Sequence, residues 1–551
     1  MALYREFLEL SEFGSYEDFL KNFEIKVPDN FNFAYDVCDR IAREEPDKLA
    51  LHWVHPDGRE KKITFGEMKK YSDRAARLFQ KAGVGKGDRV MLVLMRHYQF
   101  WYCIMALHKI GAVAVPATHL LTKKDVVYRA NAASVKAIVA TSEGVFHQAV
   151  EAAQPDCPTL KTKFLAFGSR DGWIDFDQAL EDQADDFTRP EHVNTNDDPM
   201  LLYFTSGTSG MPKMVTHDFR YPLGHIVTAV YWQGCVDGGV HLTVSETGWA
   251  KSVWGKLYGQ WLAGSAVLAY DFDKFVPKDL LSVMVRCGVT TFCAPPTVYR
   301  FFLQEELEKY DLSRIRRCAI AGEPLNPEVY EKWKEKTGHA LAEIFGQTEL
   351  CVLVGNFPWM KVCPGSMGKP SPQFDVDLVD DDDKSCPPGI VGEIVVRTRR
   401  GRPVGMFLGY EDEPERTREV WHDNMYHTLD LAWRDEWGYY WYVGRKDDVI
   451  KSSGYRIGPF EVESALMEHP AVVETAITGV PDPVRGQVVK ATIVLAKGYE
   501  PTEALKKELQ NHVKKATAPY KYPRIVEFVD ELPKTISGKI RRVELRERDN
   551  H

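Results

Sequence analysis

No two of the ten cysteines form a CxxC, no apolar run approaches the length of a bilayer span, and no basic surplus marks the chain. The cysteines are scattered at 38, 103, 157, 235, 287, 293, 318, 351, 363 and 386, which predicts neither a zinc ribbon nor a disulfide framework but reduced thiols in a cytoplasmic protein. The most apolar stretch, Phe100–Leu107, is stopped by His108 and Lys109, far short of the ~20 residues that cross a membrane. The first residues carry early acidic side chains and no basic head before an apolar segment, so a secretory signal is not expected. A formal charge of −9 sets aside a general nucleic-acid binder. The GxxxxGK[ST], GxSxG and HExxH patterns are missing, and the sixteen histidines form no metal cluster by spacing. Gly83-Val84-Gly85-Lys86-Gly87 precedes a strand pattern instead of opening a helix, so it fails as a dinucleotide signature.

What is present is strand–helix alternation over the first 350 residues. Val90–Leu94, Ala112–Pro116, Ala137–Ala140 and Thr290–Pro296 are short apolar runs of the kind buried on both faces of a parallel sheet. Between the runs lie helical stretches such as Thr64–Ala82, where Met68, Ala75, Leu78 and Phe79 share one face. The pattern predicts layered α/β units. From about 362 to 445 it changes to short strands, Asp375–Val379, Gly392–Arg397 and Gly438–Gly444, and predicts a small β-rich subdomain. The run Asp380–Asp383 reads as a solvated turn. The last hundred residues predict an α+β unit, with one helix opened by Pro459 and another marked by Leu505, Leu509 and Val513. Residues 446–551 carry a net +2, which leaves −11 for residues 1–445 and suits a lobe that meets polyphosphate.

The segment richest in chemistry follows the apolar Met200-Leu201-Leu202. It runs Thr205-Ser206-Gly207-Thr208-Ser209-Gly210-Met211-Pro212-Lys213. Small residues let backbone N–H groups approach an anion, the hydroxyls add donors, and Lys213 adds a full charge, a combination suited to polyphosphate. The string resembles the phosphate-binding signature of the adenylate-forming superfamily, and the resemblance extends over nearly the whole chain. Gly322-Glu323-Pro324 resembles its adenine-contacting loop. Glu343-Ile344-Phe345-Gly346-Gln347-Thr348-Glu349 resembles its next motif, which implies Phe345 against the adenine, Thr348 on phosphate and Glu349 holding Mg²⁺. By the same resemblance Asp430 would bind the ribose hydroxyls and Arg445 would touch the ribose. Asp447 would be the hinge, and Arg456 would meet the phosphate or acyl-adenylate. Lys539, in Pro533–Ile540, matches the family's catalytic lysine, with Thr205 and Lys213 completing the expected catalytic set.

The C-terminal unit is most similar to the medium-chain acyl-CoA synthetases. That likeness implies coenzyme A contacts by Arg485, Lys514 and Tyr522, and a pantetheine passage at Ser453-Gly454-Tyr455. Acetyl-CoA synthetases carry a tryptophan just before their Gln-Thr-Glu. Gly346 is expected to leave that space open for an acid larger than acetate. Trp249 and Trp254 are expected to wall the acyl pocket, with Cys351 narrowing it, and Lys256 lies on the same segment without an obvious partner.

The expected fold is α/β. A large N-terminal domain (1–446) of layered α/β subdomains contains a small β-barrel-like subdomain, and a mobile α+β C-terminal domain (447–551) follows. The expected activity is ATP-dependent ligation of a carboxylic acid to coenzyme A through an acyl-adenylate, with Mg²⁺, and with no nucleic-acid partner and no membrane span. Adenylation with a carrier-protein thiol or amine as acceptor stays open, as does a binding-only role on the same scaffold. Oligomeric state is not legible.

Overall fold

The computed structural model describes residues 2–205, 211–453, 455–534 and 539–549. Apolar alternation along its strands sends side chains to two faces at once. Val90 and Leu92 enter one core while Met91 and Val93 enter another, as a period of two requires. These residues belong to an eight-stranded sheet ordered Gly409–Tyr410, Lys213–Asp218, Pro199–Thr205, Val113–Pro116, Arg89–Val93, Ala137–Thr141, Thr162–Ala166, Ile174–Asp175. Its strands run parallel except at the edge formed by Lys213–Asp218 and Gly409–Tyr410.

A nine-stranded sheet repeats the logic. Leu341–Gln347, Arg317–Ile320, Thr291–Ala294, Val240–Thr243, Ala266–Tyr270 and Leu49–Val54 are mutually parallel, and antiparallel strands close both edges. Helices Phe65–Lys81 and Gln99–Lys109 pack on each other between the two sheets. Thr64 and Glu67 form a capping box at the start of the first. All eleven residues of the second are buried, so its continuous apolarity reflects a helix enclosed on every side. Its last residue, Lys109, is held in the core by Asp39 at 2.8 Å and Asp73 at 2.5 Å.

The β-rich region is an antiparallel sheet of Asp375–Val379, Gly392–Arg397, Met425–Arg434 and Trp421–His422, with Tyr440–Arg445 on the other edge of Met425–Arg434. The last strand starts two residues later than the sequence pattern predicts, because Gly438 takes φ +83° in the preceding turn. Another sheet, from Ile450 to Phe528, packs its long hairpin, Val472–Asp482 with Gly486–Leu495, against helices Pro459–Met467 and Glu503–Ala516. Among the described residues no helix is long and apolar enough to cross a membrane.

Candidate active site

The segment expected to bind phosphate is framed by a hairpin. Thr205 ends one strand, Lys213 begins the next, and the two face each other in register. Ser206, Gly207, Thr208, Ser209 and Gly210 lie outside the described residues. The Lys213 ammonium stands 4.7 Å from the centre of the Tyr410 ring and donates to its hydroxyl at 3.4 Å. That hydroxyl donates in turn to Glu349 Oε1 at 2.9 Å. Burial lowers the Lys213 pKa, Glu349 opposes the change, and the cations Arg416 and Arg445 add to it.

Asp430, the residue expected to bind ribose, is buried within the strand Met425–Arg434, just after a bulge at which Leu429 takes φ +61°. The Leu429 N–H donates to Glu393 at 3.0 Å and its carbonyl accepts from Lys446 N, which fixes an otherwise costly backbone turn. Asp430 Oδ1 accepts from the Tyr442 hydroxyl at 2.9 Å, Oδ2 accepts from Gln347 Nε2 at 2.6 Å, and Arg445 stands at 3.6 Å. Burial raises the Asp430 pKa and Arg445 resists. Gln347 also accepts from Tyr426, so both ends of its amide position Asp430 instead of pointing at a ligand. Phe345 lies 6.2 Å from Tyr442, ring centre to ring centre. The Thr348 carbonyl accepts from buried His217 Nε2 at 2.8 Å.

Below Gly322-Glu323-Pro324, Glu343 Oε1 accepts from Leu325 N at 3.1 Å, and Oε2 has no hydrogen-bond partner among the described residues. Burial pushes its pKa up to about 8 from an ordinary 4.5. The folded protein therefore keeps a proton that the unfolded chain has already lost, and stability falls as pH rises from about 4.5 toward 8. Glu343→Gln keeps the acceptor and cannot ionise. It is expected to flatten that fall, giving a higher melting temperature than the parent at pH 8 by scanning calorimetry. Parallel curves would assign the fall to another group.

Lys539 lies near enough for its charge to act on both Asp430 and Lys251, and Lys251 donates to the Ala321 carbonyl at 2.6 Å. Arg456 is elsewhere: it pairs with Asp381 at 2.7 Å, in the acidic turn that the sequence pattern reads as simply solvated. Asp447 contacts Arg445 at 3.6 Å. Arg546 binds Asp448, and Arg542 holds Glu463 at 2.7 Å, pinning the final helix Arg542–Asp549 onto this segment.

The coenzyme A candidates lie on one surface of the C-terminal unit. Arg485 donates to Ser453 Oγ at 3.1 Å. Tyr455 stacks on Tyr520 at 4.1 Å, and the Lys514 ammonium lies 4.0 Å from the Tyr522 ring. Arg524 donates to the Tyr522 hydroxyl at 2.7 Å. Gly454 lies outside the described residues.

The acyl wall departs most from expectation. Gly346 does not leave open space: a Cβ there would stand 2.5 Å from Trp254 Cη2 and 2.8 Å from the Cys351 carbonyl. The missing side chain makes room for the Trp254 ring. The Trp254 indole N–H donates to the Tyr221 hydroxyl at 3.2 Å. Trp249 stands at the N-terminal cap of the helix Ala250–Lys256. The Cys351 sulfur sits in the core 3.7 Å from His225, and the Cys351 carbonyl borders Gly346. Lys256 is buried with its ammonium on the Ser245 carbonyl at 2.6 Å, and burial pulls its pKa down to about 7.

Sequence patterns gave no sign of Tyr410, Tyr442, Arg542 or Arg546 as parts of the site. Only strand register and lobe packing bring them there.

Known proteins are similar to this chain over nearly its whole length. The AMP-binding enzyme model matches residues 38–411, and the AMP-binding enzyme C-terminal domain matches 461–539. The mitochondrial acyl-coenzyme A synthetase ACSM3 of Mus musculus is 41% identical over 560 residues, covering 100% of this chain and 96% of its own. The mitochondrial ACSM5 of Homo sapiens is 44% identical over 534 residues, covering 95% and 91%. The crystal structure of the anthranilate CoA ligase AuaEII with anthranoyl-AMP superposes with a TM-score of 0.87 at 30% identity, covering 95% of this chain and 98% of that one. A benzoate CoA ligase from Burkholderia xenovorans LB400 gives 0.80 at 26%, covering 94% and 100%. With its larger part and its C-terminal part both matched, the chain belongs to the AMP-binding enzymes, the adenylate-forming family.

Proposed function

We propose that this protein is an ATP-dependent carboxylic acid–CoA ligase of the AMP-forming kind. The observation that carries the reading is the convergence of Lys213, Glu349, Asp430, Arg445 and Lys539 from both parts of the chain. In the first half-reaction a carboxylate oxygen attacks the α-phosphorus of ATP and pyrophosphate leaves. Asp430 accepts from the ribose hydroxyls while Tyr442 and Gln347 fix its orientation. Lys539 supplies preorganised positive charge between the acid and the α-phosphate, where charge builds up as the bond forms. In the second half-reaction the coenzyme A thiol attacks the acyl carbon and AMP leaves.

Mg²⁺ fits this site as a companion of ATP. Among the described residues no group of three or more His, Cys, Asp or Glu could hold a metal ion. A single carboxylate, Glu349, suits an ion that takes one or two protein carboxylates and completes its shell with phosphate and water. Bound there, it would offset charge on the phosphate oxygens.

The chain divides into a body of residues 1–446 and a lobe of 447–551 that turns about Asp447. Lys539 within electrostatic reach of Asp430 and Arg456 on Asp381 are what the adenylating orientation would give, with Arg456 reaching the adenylate only after the lobe turns. Arg485, Lys514 and Tyr522 then serve the coenzyme A nucleotide. The likeness to an anthranilate and a benzoate CoA ligase, and no longer an open space at Gly346, favours an acid larger than acetate, in the medium-chain, branched or cyclic range, with Trp254 as its wall. A cytoplasmic location remains the sequence-based expectation, whereas the relatives named above are mitochondrial proteins.

Carboxylate-dependent ATP–pyrophosphate exchange without coenzyme A, followed by thioester on adding it, is the expected result in a panel of short, medium-chain, branched, alicyclic and aromatic acids. Exchange without thioester would favour a carrier-protein thiol or amine acceptor. No exchange with any acid would leave a binding protein.

A further inference from the structure

Tyr410 belongs to none of the motifs above, yet it touches two of the groups on which adenylation depends. Its position is set by the backbone. Gly409–Tyr410 adds a short antiparallel strand to Lys213–Asp218, with Tyr410 opposite Val215. The Tyr410 N–H donates to Thr417 Oγ1 at 2.9 Å. Three residues earlier, the Phe407 N–H donates to the Glu349 carbonyl at 2.8 Å, so the segment carrying Tyr410 is tied to the one carrying Glu349. The ring packs edge-on against Phe407 at 5.2 Å. Little freedom is left to the hydroxyl.

That hydroxyl stands between a cation and an anion. It donates to Glu349 Oε1 at 2.9 Å and receives the Lys213 ammonium at 3.4 Å. The second contact is long, so the ring face, 4.7 Å from the ammonium, shares in guiding the lysine. Without the hydroxyl, a half-buried lysine and carboxylate would close into a direct ion pair. Each would then neutralise the other instead of phosphate or metal.

We propose that Tyr410 is a positioning residue for adenylation, one that keeps Lys213 and Glu349 apart so that the ammonium stays directed to phosphate and the carboxylate keeps an oxygen for a divalent cation. The proposal rests on the ligase reading, and its test separates the two. Tyr410→Phe retains the ring and loses only the hydroxyl. The Mg²⁺ concentration that half-saturates acid-dependent ATP–pyrophosphate exchange is expected to rise about 10–100-fold, the usual cost of losing a group that orients a metal ligand. Thioester formation from supplied acyl-adenylate should be unchanged.

A readout without turnover is the extra rise in melting temperature that Mg·ATP gives over ATP with EDTA. It should be present in the parent and much reduced in Tyr410→Phe, while the ligand-free melting temperatures stay close. Glu349→Gln should reproduce the loss, and adding Tyr410→Phe to it should cost little more, since both act through one contact. A parental Mg²⁺ midpoint together with a parental Mg·ATP shift in Tyr410→Phe would overturn the proposal, as would full additivity with Glu349→Gln. If the parent shows the Mg·ATP shift but exchanges with no acid, the ligase reading falls, and Tyr410 is judged by the shift alone.

Discussion

Lys539→Ala is expected to lower acid-dependent ATP–pyrophosphate exchange by about 10²–10³-fold and to leave thioester formation from supplied acyl-adenylate nearly intact. The magnitude is that of removing one preorganised charge or donor from a developing oxyanion. The asymmetry follows from the proposed turn of the lobe 447–551. Lys539 lies close enough to act on Asp430 and Lys251, on the body's side of the site, while Arg456 of the same lobe is held away by Asp381. A lobe that presents one of these at a time has no use for Lys539 once the adenylate exists. The measurement is the ratio of the two half-reactions in the variant and the parent. Equal loss in both would contradict alternation of the lobe, whatever the size of the loss.

The layered α/β architecture is legible in the sequence because it depends on short periodicity, and the order of the site motifs can be read from local composition. The strand before Thr205 is expected from the apolar Met200-Leu201-Leu202, whereas its antiparallel pairing with a second strand that begins at Lys213 is not. Asp430 could be singled out by its motif, but its bulged strand could not. Leu429 is a poor residue for a left-handed backbone and is held there by Glu393 and Lys446, distant in sequence. Tyr410 and Tyr442 were invisible for a similar reason, since cross-strand register aims their hydroxyls at Glu349 and Asp430. The acidic turn at 380–383 is indeed exposed. Its use as a counter-charge for Arg456 depends on how the lobe sits, which no local pattern encodes. Lys109 illustrates the opposite failure. Read as the end of an apolar run, it is in fact a buried cation between two carboxylates contributed by other helices.

Gly346→Trp is expected to abolish or nearly abolish ligation of every acid, by about 10²-fold or more, instead of converting the protein into one that prefers acetate. The glycine and Trp254 fill one space between them. A bare Cβ at 346 would already stand 2.5 Å from Trp254 Cη2 and 2.8 Å from the Cys351 carbonyl. The ring could move only by giving up its hydrogen bond to Tyr221, and the carbonyl belongs to a strand paired with the one that carries Gly346. Overpacking of this kind costs ~1–3 kcal/mol. Here the strain falls on the strand that leads into Gln347, Thr348 and Glu349, where small misplacements are amplified, since a shift of about 1 Å can cost 10²-fold in rate. The paired change Gly346→Trp with Trp254→Ala is the informative one. It returns the indole volume to the same space from the opposite side, and it is expected to recover much of the lost exchange with a profile moved toward shorter acids. Acid-dependent exchange over a series from acetate to branched and aromatic acids checks both. Full activity in the single variant would show that the Trp254 ring is free to leave the wall. Failure of the pair, with both proteins folded by circular dichroism, would show that the Tyr221 contact matters more than the volume.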